Sequence, residues 1–217
     1  MQLHYISSTN SILNHFLAQI RDVDVQQDSM RFRKNIERIG EIMAYELSKS
    51  LSYKTINVTT PLGTKETTAL EDNVVLCSIL RAGLALHTGF MNFFDDAENG
   101  FVSAYRHHPN NDDFFEILVE YRAAPSFQDK NLILIDPMLA TGQSLVAVFN
   151  KLMVEETPKE IHIAVVIAAP EGVAYLEKHL PDNCHLWIAA LDEKLNKKNY
   201  IIPGLGDAGD LAYGSKL

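Results

Sequence analysis

The stretch LILIDPMLATGQS, residues 132–144, carries the densest set of chemically useful side chains in the chain. An apolar run ends in Asp136, a turn follows, and Thr141-Gly142-Gln143-Ser144 opens what reads as a helix. The N-terminus of a helix offers free amides and a partial positive charge, which suit a phosphate. Thr141 and Ser144 add hydroxyl donors, and Gly142 lets the backbone come close to a ligand. Asp136 can accept hydrogen bonds from sugar hydroxyls. The same residues also fit a plain strand-to-helix turn in which Ser144 caps the helix. An acid, a glycine and two hydroxyls in one loop favour the phosphate over the plain turn.

Two further polar loops follow apolar runs: Arg81-Ala82-Gly83 after VVLCSIL, and the segment after Leu191. In an open α/β sheet, ligands bind beyond the carboxyl ends of the strands, so three loops share one rim. Near the C-terminus, Gly204, Gly206 and Gly209 of GLGDAG have G-x-G-x-x-G spacing. A dinucleotide-binding turn must begin a βαβ unit, and too few residues follow for one. By composition this stretch reads as a flexible glycine-rich tail. No G-x-x-x-x-G-K-[ST] loop occurs. The histidines lack ligand spacing, and the adjacent His107 and His108 read as solvated, so no protein metal site is expected.

These loops need a frame to hold them. VVLCSIL at 74–80, LILI at 132–135, IHIAVVIAA at 161–169 and HLWIAAL at 185–191 are apolar enough to be strands buried on both faces. A helical stretch over about 145–155 follows the second, and Pro170 starts another that reaches about His179. Strands and helices alternating at these lengths predict an α/β fold with a doubly wound, mainly parallel sheet flanked by helices. The N-terminal segment, about 1–55, reads as helical, with a core-facing stripe at Ile36, Ile39, Met43 and Leu47. Turn chemistry at 59–63 then interrupts the pattern. FVSAY and FFEILVEY flank the polar RHHPNNDD and predict a hairpin arm over about 101–121, either an exposed edge or a catalytic lid. No repeat or linker divides the chain, so a single domain over 1–217 is expected.

Composition removes several function classes. With 217 residues and 47% hydrophobic positions a sizeable core can form. Lys and Arg number 19 against 28 Asp and Glu, and the net charge of -9 argues against binding nucleic acid through bulk charge. No apolar run approaches the ~20 residues of a membrane helix. MQLHYISSTN shows no secretory signal. Cys77 and Cys184 are expected as free thiols in a reducing compartment. Together these predict a cytoplasmic protein with neither membrane nor nucleic acid as partner.

LILIDPMLATG resembles the 5-phosphoribosyl 1-diphosphate (PRPP) signature of the type I phosphoribosyltransferases. With Pro137 in place of a second acid, it is similar to the uracil phosphoribosyltransferase family in particular. Other matches run in the expected order: Phe32-Arg33, TPLG at 60–63, ILRAG at 79–83, Tyr105-Arg106, AAPEG at 168–172 and YIIPGLGDAGD at 200–210. They span about 30–214, and the last of them is highly specific beside DPMLATG.

The resemblance implies the type I fold with a C-terminal base-recognition loop over about 192–214. It also implies transfer of phosphoribosyl from PRPP to N1 of uracil, giving UMP and diphosphate in pyrimidine salvage. PRPP would be held by Asp136, Pro137, Met138, Leu139, Ala140, Thr141, Gly142, Gln143 and Ser144, with Asp136 on the ribose hydroxyls. Arg81 would contact the diphosphate, as would Arg106 when the arm closes. The resemblance makes Arg106 and Asp207 catalytic, with Asp207 between base and PRPP. Main-chain groups of Ile201, Gly206 and Ala208 would pair with uracil. Mg²⁺ would accompany PRPP, coordinated mainly by diphosphate, hydroxyls and water. A homo-oligomer, dimer or tetramer, is implied, and some relatives are activated by GTP.

The phosphate loop of the family usually continues Thr-Gly-Gly-Ser, whereas Gln143 stands here. A right-handed first helical turn would accept Gln at no cost, and a left-handed position would not. Two alternatives to the enzyme are a pyrimidine-responsive RNA-binding regulator, which would need a basic face, and a nucleotide-binding module that has lost catalysis.

Overall fold

The apolar runs form a sheet because each strand buries both of its faces. In the computed structural model, which describes residues 1–107, 116–154 and 156–216, the chain order begins β1 (Gln2–Tyr5), α1 (Ile12–Arg21), α2 (Ser29–Ser48), β2 (Tyr53–Thr60), β3 (Gly63–Leu70), β4 (Val74–Leu80) and α3 (Leu84–Met91). It continues β5 (Glu98–His107), β6 (Glu116–Ala123), β7 (Asn131–Ile135), β8 (Met138–Leu139), α4 (Gln143–Leu152) and β9 (Glu160–Ala168). Last come α5 (Pro170–His179), β10 (Cys184–Leu191), β11 (Lys194–Leu195), β12 (Ile201–Ile202) and α6 (Ala208–Tyr213).

The main sheet runs β1-β10-β9-β7-β4-β5-β6, with β8 also paired to β9. Every pairing is parallel except that of β5 with β6. Alternate residues of the central strands face opposite layers. Leu76, Ile133, Ile135, Ala164 and Val166 meet α1, α2 and α3 through Leu17, Ile36, Met43 and Leu86. Val75, Cys77, Leu132, Leu134, Ile163 and Val165 meet α4 and α5 through Leu145, Phe149, Val173 and Leu176. The doubly wound, mainly parallel architecture is thus present, with helices on both faces.

Two features differ from the sequence reading. The segment expected to be helical over about 1–55 contains α1 and α2, but β1 precedes them and pairs in parallel with β10 at the sheet edge. Its four residues, Gln-Leu-His-Tyr, alternate polar and apolar but are too few to tell from chance, so only the partner strand reveals this one. Residues 53–70 form a separate antiparallel hairpin, β2 with β3, in register from Tyr53 opposite Leu70 to Thr60 opposite Gly63. Its strands are exposed on nearly every residue, so no hydrophobic alternation marks them. The β-branched residues Thr55, Ile56, Val58, Thr67 and Thr68 were the available signal.

Candidate active site

The carboxyl ends of β4 and β7 open into one cleft of about 730 Å³. Its floor holds Arg81 from the turn after β4, and Asp136, Met138, Ala140 and Ser144 from the turn between β7 and α4. The opposite wall comes from the C-terminal loop: Ile201, Gly206, Asp207 and Ala208. A smaller cup of about 130 Å³ is lined by Asp136, Met138, Leu139, Ala140, Thr141, Gly142 and Ser144. The cup and the large cleft share Asp136, Met138, Ala140 and Ser144.

The cup owes its shape to Gly142. Its φ of +78° and ψ of -11° are left-handed, and no side chain caps α4. A Cβ there would lie 3.2 Å from both the Gly172 carbonyl oxygen and Tyr175 Cδ1. The chain can then enter α4 at Gln143, which is the first helical residue and has a negative φ. Gln143 thus occupies the right-handed position at which a side chain costs nothing. Its amide lies 3.5 Å from Thr141 Oγ1, a long contact that leaves the first turn open to an anion. Ser144 lies inside the helix and lines the cup, so it is not the cap that a plain strand-to-helix turn would use.

Asp136 is half-buried at the end of β7, and burial pushes its carboxyl up to about 7, against a weaker opposing pull from the Met138 amide at 3.3 Å. Pro137 points away from the cleft: it is buried, and its carbonyl accepts the Val166 and Ile167 amides, both at 3.0 Å. Arg81 follows a cis Leu80–Arg81 peptide. Its Nη2 donates to Asp210 Oδ1 at 3.2 Å and to the Gly214 carbonyl at 3.1 Å. Its Nε is buried with no hydrogen-bond partner among the described residues. Asp207 is the N-cap of α6, its Oδ1 accepting the Asp210 amide at 3.0 Å. Arg106 lies on β5 opposite Ile117, and its side chain falls outside the described residues.

The structure therefore gathers Arg81, Asp136, Met138, Ala140, Ser144, Ile201, Gly206, Asp207 and Ala208 around one space, with Leu139, Thr141 and Gly142 in the adjoining cup. Pro137 and Gln143 line neither. Lys198, Asn199 and Lys216 also line the cleft and were not picked out from sequence, whereas Tyr200, which lines it too, opens the YIIPGLGDAGD stretch. The signal for Lys198 and Asn199 was their place directly before the YIIPG stretch.

Residues remote from the cleft hold its C-terminal wall. Arg33 of α2 donates to the Ala212 carbonyl at 2.6 Å, and Glu171 of α5 accepts the Leu195 amide at 2.9 Å. Among the described residues no group of three or more His, Cys, Asp or Glu side chains is arranged to hold a metal ion. No described helix is long and apolar enough to cross a membrane.

The chain is similar to known proteins over its whole length. The family model described as uracil phosphoribosyltransferase matches residues 7–215. A uracil phosphoribosyltransferase of Porphyromonas gingivalis is 50% identical over 217 residues, covering 100% of both chains. One from Methanococcus vannielii is 38% identical over 213 residues, 97% of this chain and 89% of its own. Among solved structures, a protein of Aquifex aeolicus superposes with a TM-score of 0.87 at 29% identity, covering 100% of both chains.

Proposed function

The chain belongs to the uracil phosphoribosyltransferase family and has its type I phosphoribosyltransferase fold, and we propose from that premise that the cleft joins uracil to PRPP, releasing diphosphate and UMP. One observation carries the reading of the site: an uncapped helix N-terminus with an acid beside it faces a glycine-rich loop across a single space. That is the arrangement needed to hold a phosphorylated ribose on one side and a planar base on the other.

The amides that open α4, with the Thr141 and Ser144 hydroxyls, take the 5′-phosphate, and Asp136 accepts hydrogen bonds from the ribose hydroxyls. Leu139 and Gly142 complete that cup, while Pro137 and Gln143 shape the loop from behind. The C1′–oxygen bond breaks towards diphosphate as the N1–C1′ bond forms, and the ribose passes through an oxocarbenium-like state. Arg81 steadies the negative charge that builds on the diphosphate, with Arg106 as the second cation. Asp207 accepts the proton that N1 of uracil loses. Main-chain groups of Ile201, Gly206 and Ala208 meet the carbonyl, N3–H, carbonyl edge of uracil. Cytosine would leave those groups unpaired, a penalty that can reach ~10⁴-fold.

Mg²⁺ fits as an ion that arrives with PRPP, since the cleft offers single carboxylates rather than a cage. It supplies charge neutralisation on the diphosphate. A homo-oligomer is supported by the β2–β3 hairpin, whose exposed strands include Tyr53, Val58 and Leu70, with Leu62 at its tip. A lone two-stranded hairpin is marginal in water, and a second copy would cover it. Two free, buried cysteines suit a reducing cytoplasm.

Incubating the protein with PRPP, Mg²⁺ and uracil, with and without GTP, tests the proposal. UMP is the expected product; no UMP under either condition would overturn it.

A further inference from the structure

Gly204 sits where the C-terminal loop folds back on itself. Its φ is +67°, and a Cβ would meet the Ile201 carbonyl oxygen at 2.2 Å. Both of its main-chain polar groups are taken by side chains, one from α1 and one from the residue that directly follows β10. The Gly204 amide donates to Asp192 Oδ2 at 3.0 Å, and the Gly204 carbonyl accepts from Arg21 Nη1 at 2.8 Å. The same guanidinium grips both Asp192 oxygens, Nη1 on Oδ2 at 2.9 Å and Nη2 on Oδ1 at 2.6 Å. The Asp192 side chain is 4% exposed and that of Arg21 23%. Arg21 is the last residue of α1, and Asp192 follows β10 directly. Neither lines the cleft.

We propose that Arg21 and Asp192 are positioning residues that clamp Gly204 and so set the backbone of 201–208 that reads the base. The inference rests on the uracil reading above. Three residues from separate elements close one ring of hydrogen bonds, in which Nη1 bridges the carboxylate and the carbonyl while Nη2 adds a second hold on Asp192. A lysine ammonium carries three donors on one nitrogen, so it can keep part of the ring but lacks the second nitrogen that holds Asp192 Oδ1. Gly206, with φ +96°, and Ala208 lie shortly after the clamp and line the cleft, so any rotation at Gly204 passes into them. A displacement of about 1 Å at groups that orient a substrate costs on the order of 100-fold in rate or binding. The PRPP cup, built on β7 and α4, takes no bond from this ring.

The test compares wild type with Arg21→Lys, Arg21→Ala and Asp192→Asn in steady-state kinetics and in amide hydrogen exchange. The clamp predicts that KM for uracil rises roughly 10-fold or more in Arg21→Ala and Asp192→Asn, with Arg21→Lys in between. KM for PRPP and kcat at saturating uracil stay within about threefold. Exchange quickens over 201–206 and not over 136–144. A merely structural ion pair would lower melting temperature and kcat together while leaving KM for uracil in place. That outcome, or KM values for both substrates rising in parallel, overturns the clamp. Should Arg21→Ala fail to fold, Asp192→Asn and Arg21→Lys, which keep shape, carry the same comparison. A wild-type enzyme that makes no UMP overturns the activity itself, and the clamp with it. A normal wild type with unaltered variants overturns the clamp alone.

Discussion

Arg81 and Asp210, 129 positions apart, meet at the mouth of the cleft with Nη2 and Oδ1 3.2 Å apart. The pair links the floor that would receive diphosphate to the helix that ends the base loop. Both side chains are more than a third exposed, so the bond is screened and contributes no more than roughly 1 kcal/mol. A diphosphate, carrying more charge and several acceptors, would displace Asp210. Arg81→Ala is expected to lower kcat/KM for PRPP by roughly 10- to 100-fold, the loss of one or two charge-assisted hydrogen bonds. Asp210→Asn, which frees the guanidinium, should leave it within about fivefold, since the screened pair is worth no more than that. Initial rates across PRPP concentration check both. An Asp210→Asn loss as deep as that of Arg81→Ala would show the pair itself to be required.

Asp136 lines the cleft at a cost to the fold. Its carboxyl, raised from 3.8 to about 7 by burial, holds a proton more tightly in the folded chain than in the unfolded one. Its effect on stability therefore becomes less favourable as pH rises from about 4 to about 7. Asp136→Asn removes that penalty. Above pH 7 the variant should melt higher than wild type by roughly 5 °C or more, with the curves converging below pH 4, while turnover falls at least 10-fold. Thermal scans across pH, paired with UMP assays, read the two effects separately. Equal melting at pH 8 would remove the strain argument.

Gln143 and Gly142 should respond in opposite ways despite being neighbours. Gln143→Gly keeps a right-handed helical residue and an amide in place, so KM for PRPP should change less than about threefold, with a loss of about 0.5–1 kcal/mol of helix stability. Gly142→Ala puts a Cβ at φ +78° against the Gly172 carbonyl, costs roughly 1–2 kcal/mol, and should weaken PRPP binding. Calorimetric titration of PRPP separates the two. A large loss in the first with none in the second would reverse the reading of the loop.

His162 brings an acid sensitivity of the opposite sign to that of Asp136. Burial first, then His185 and His4, lower its pKa to about 3, and its Nδ1 accepts from Trp187 Nε1 at 3.2 Å. Asp72 pulls the other way, and Glu160 Oε2 lies 3.5 Å from Nε2. The unfolded chain takes up a proton near 6.5, so stability is lost as pH falls from about 6.5 towards 3. Between pH 7.5 and 5 this amounts to on the order of 2 kcal/mol. Urea unfolding of His162→Gln, whose amide oxygen can still accept from Trp187, should show a flatter profile over that window. An unchanged slope would assign the acid sensitivity elsewhere.

The parts of this protein that a reader could see in the sequence are those whose physics is local. A strand in a parallel sheet is covered on both sides, so β4, β7, β9 and β10 announce themselves as unbroken apolar runs. The cup at the start of α4 is legible for a similar reason, since its acid, glycine and hydroxyls lie within residues 136–144. Strand β1 and the β2–β3 hairpin were hidden, the first because only its partner stabilises it, the second because no face of it is buried.

What the chain could not say alone is which distant groups would meet. Nothing local in GLGDAG separates a flexible tail from a wall of the cleft; the separation comes from Arg33 on Ala212, Arg21 on Gly204 and Arg81 on Gly214. Each of those bonds joins residues more than 130 positions apart, brought together by the order in which the strands cross the sheet. Hydrophobic patterning specifies which face of an element is buried. Where a guanidinium finds its carbonyl is decided only once those faces have packed.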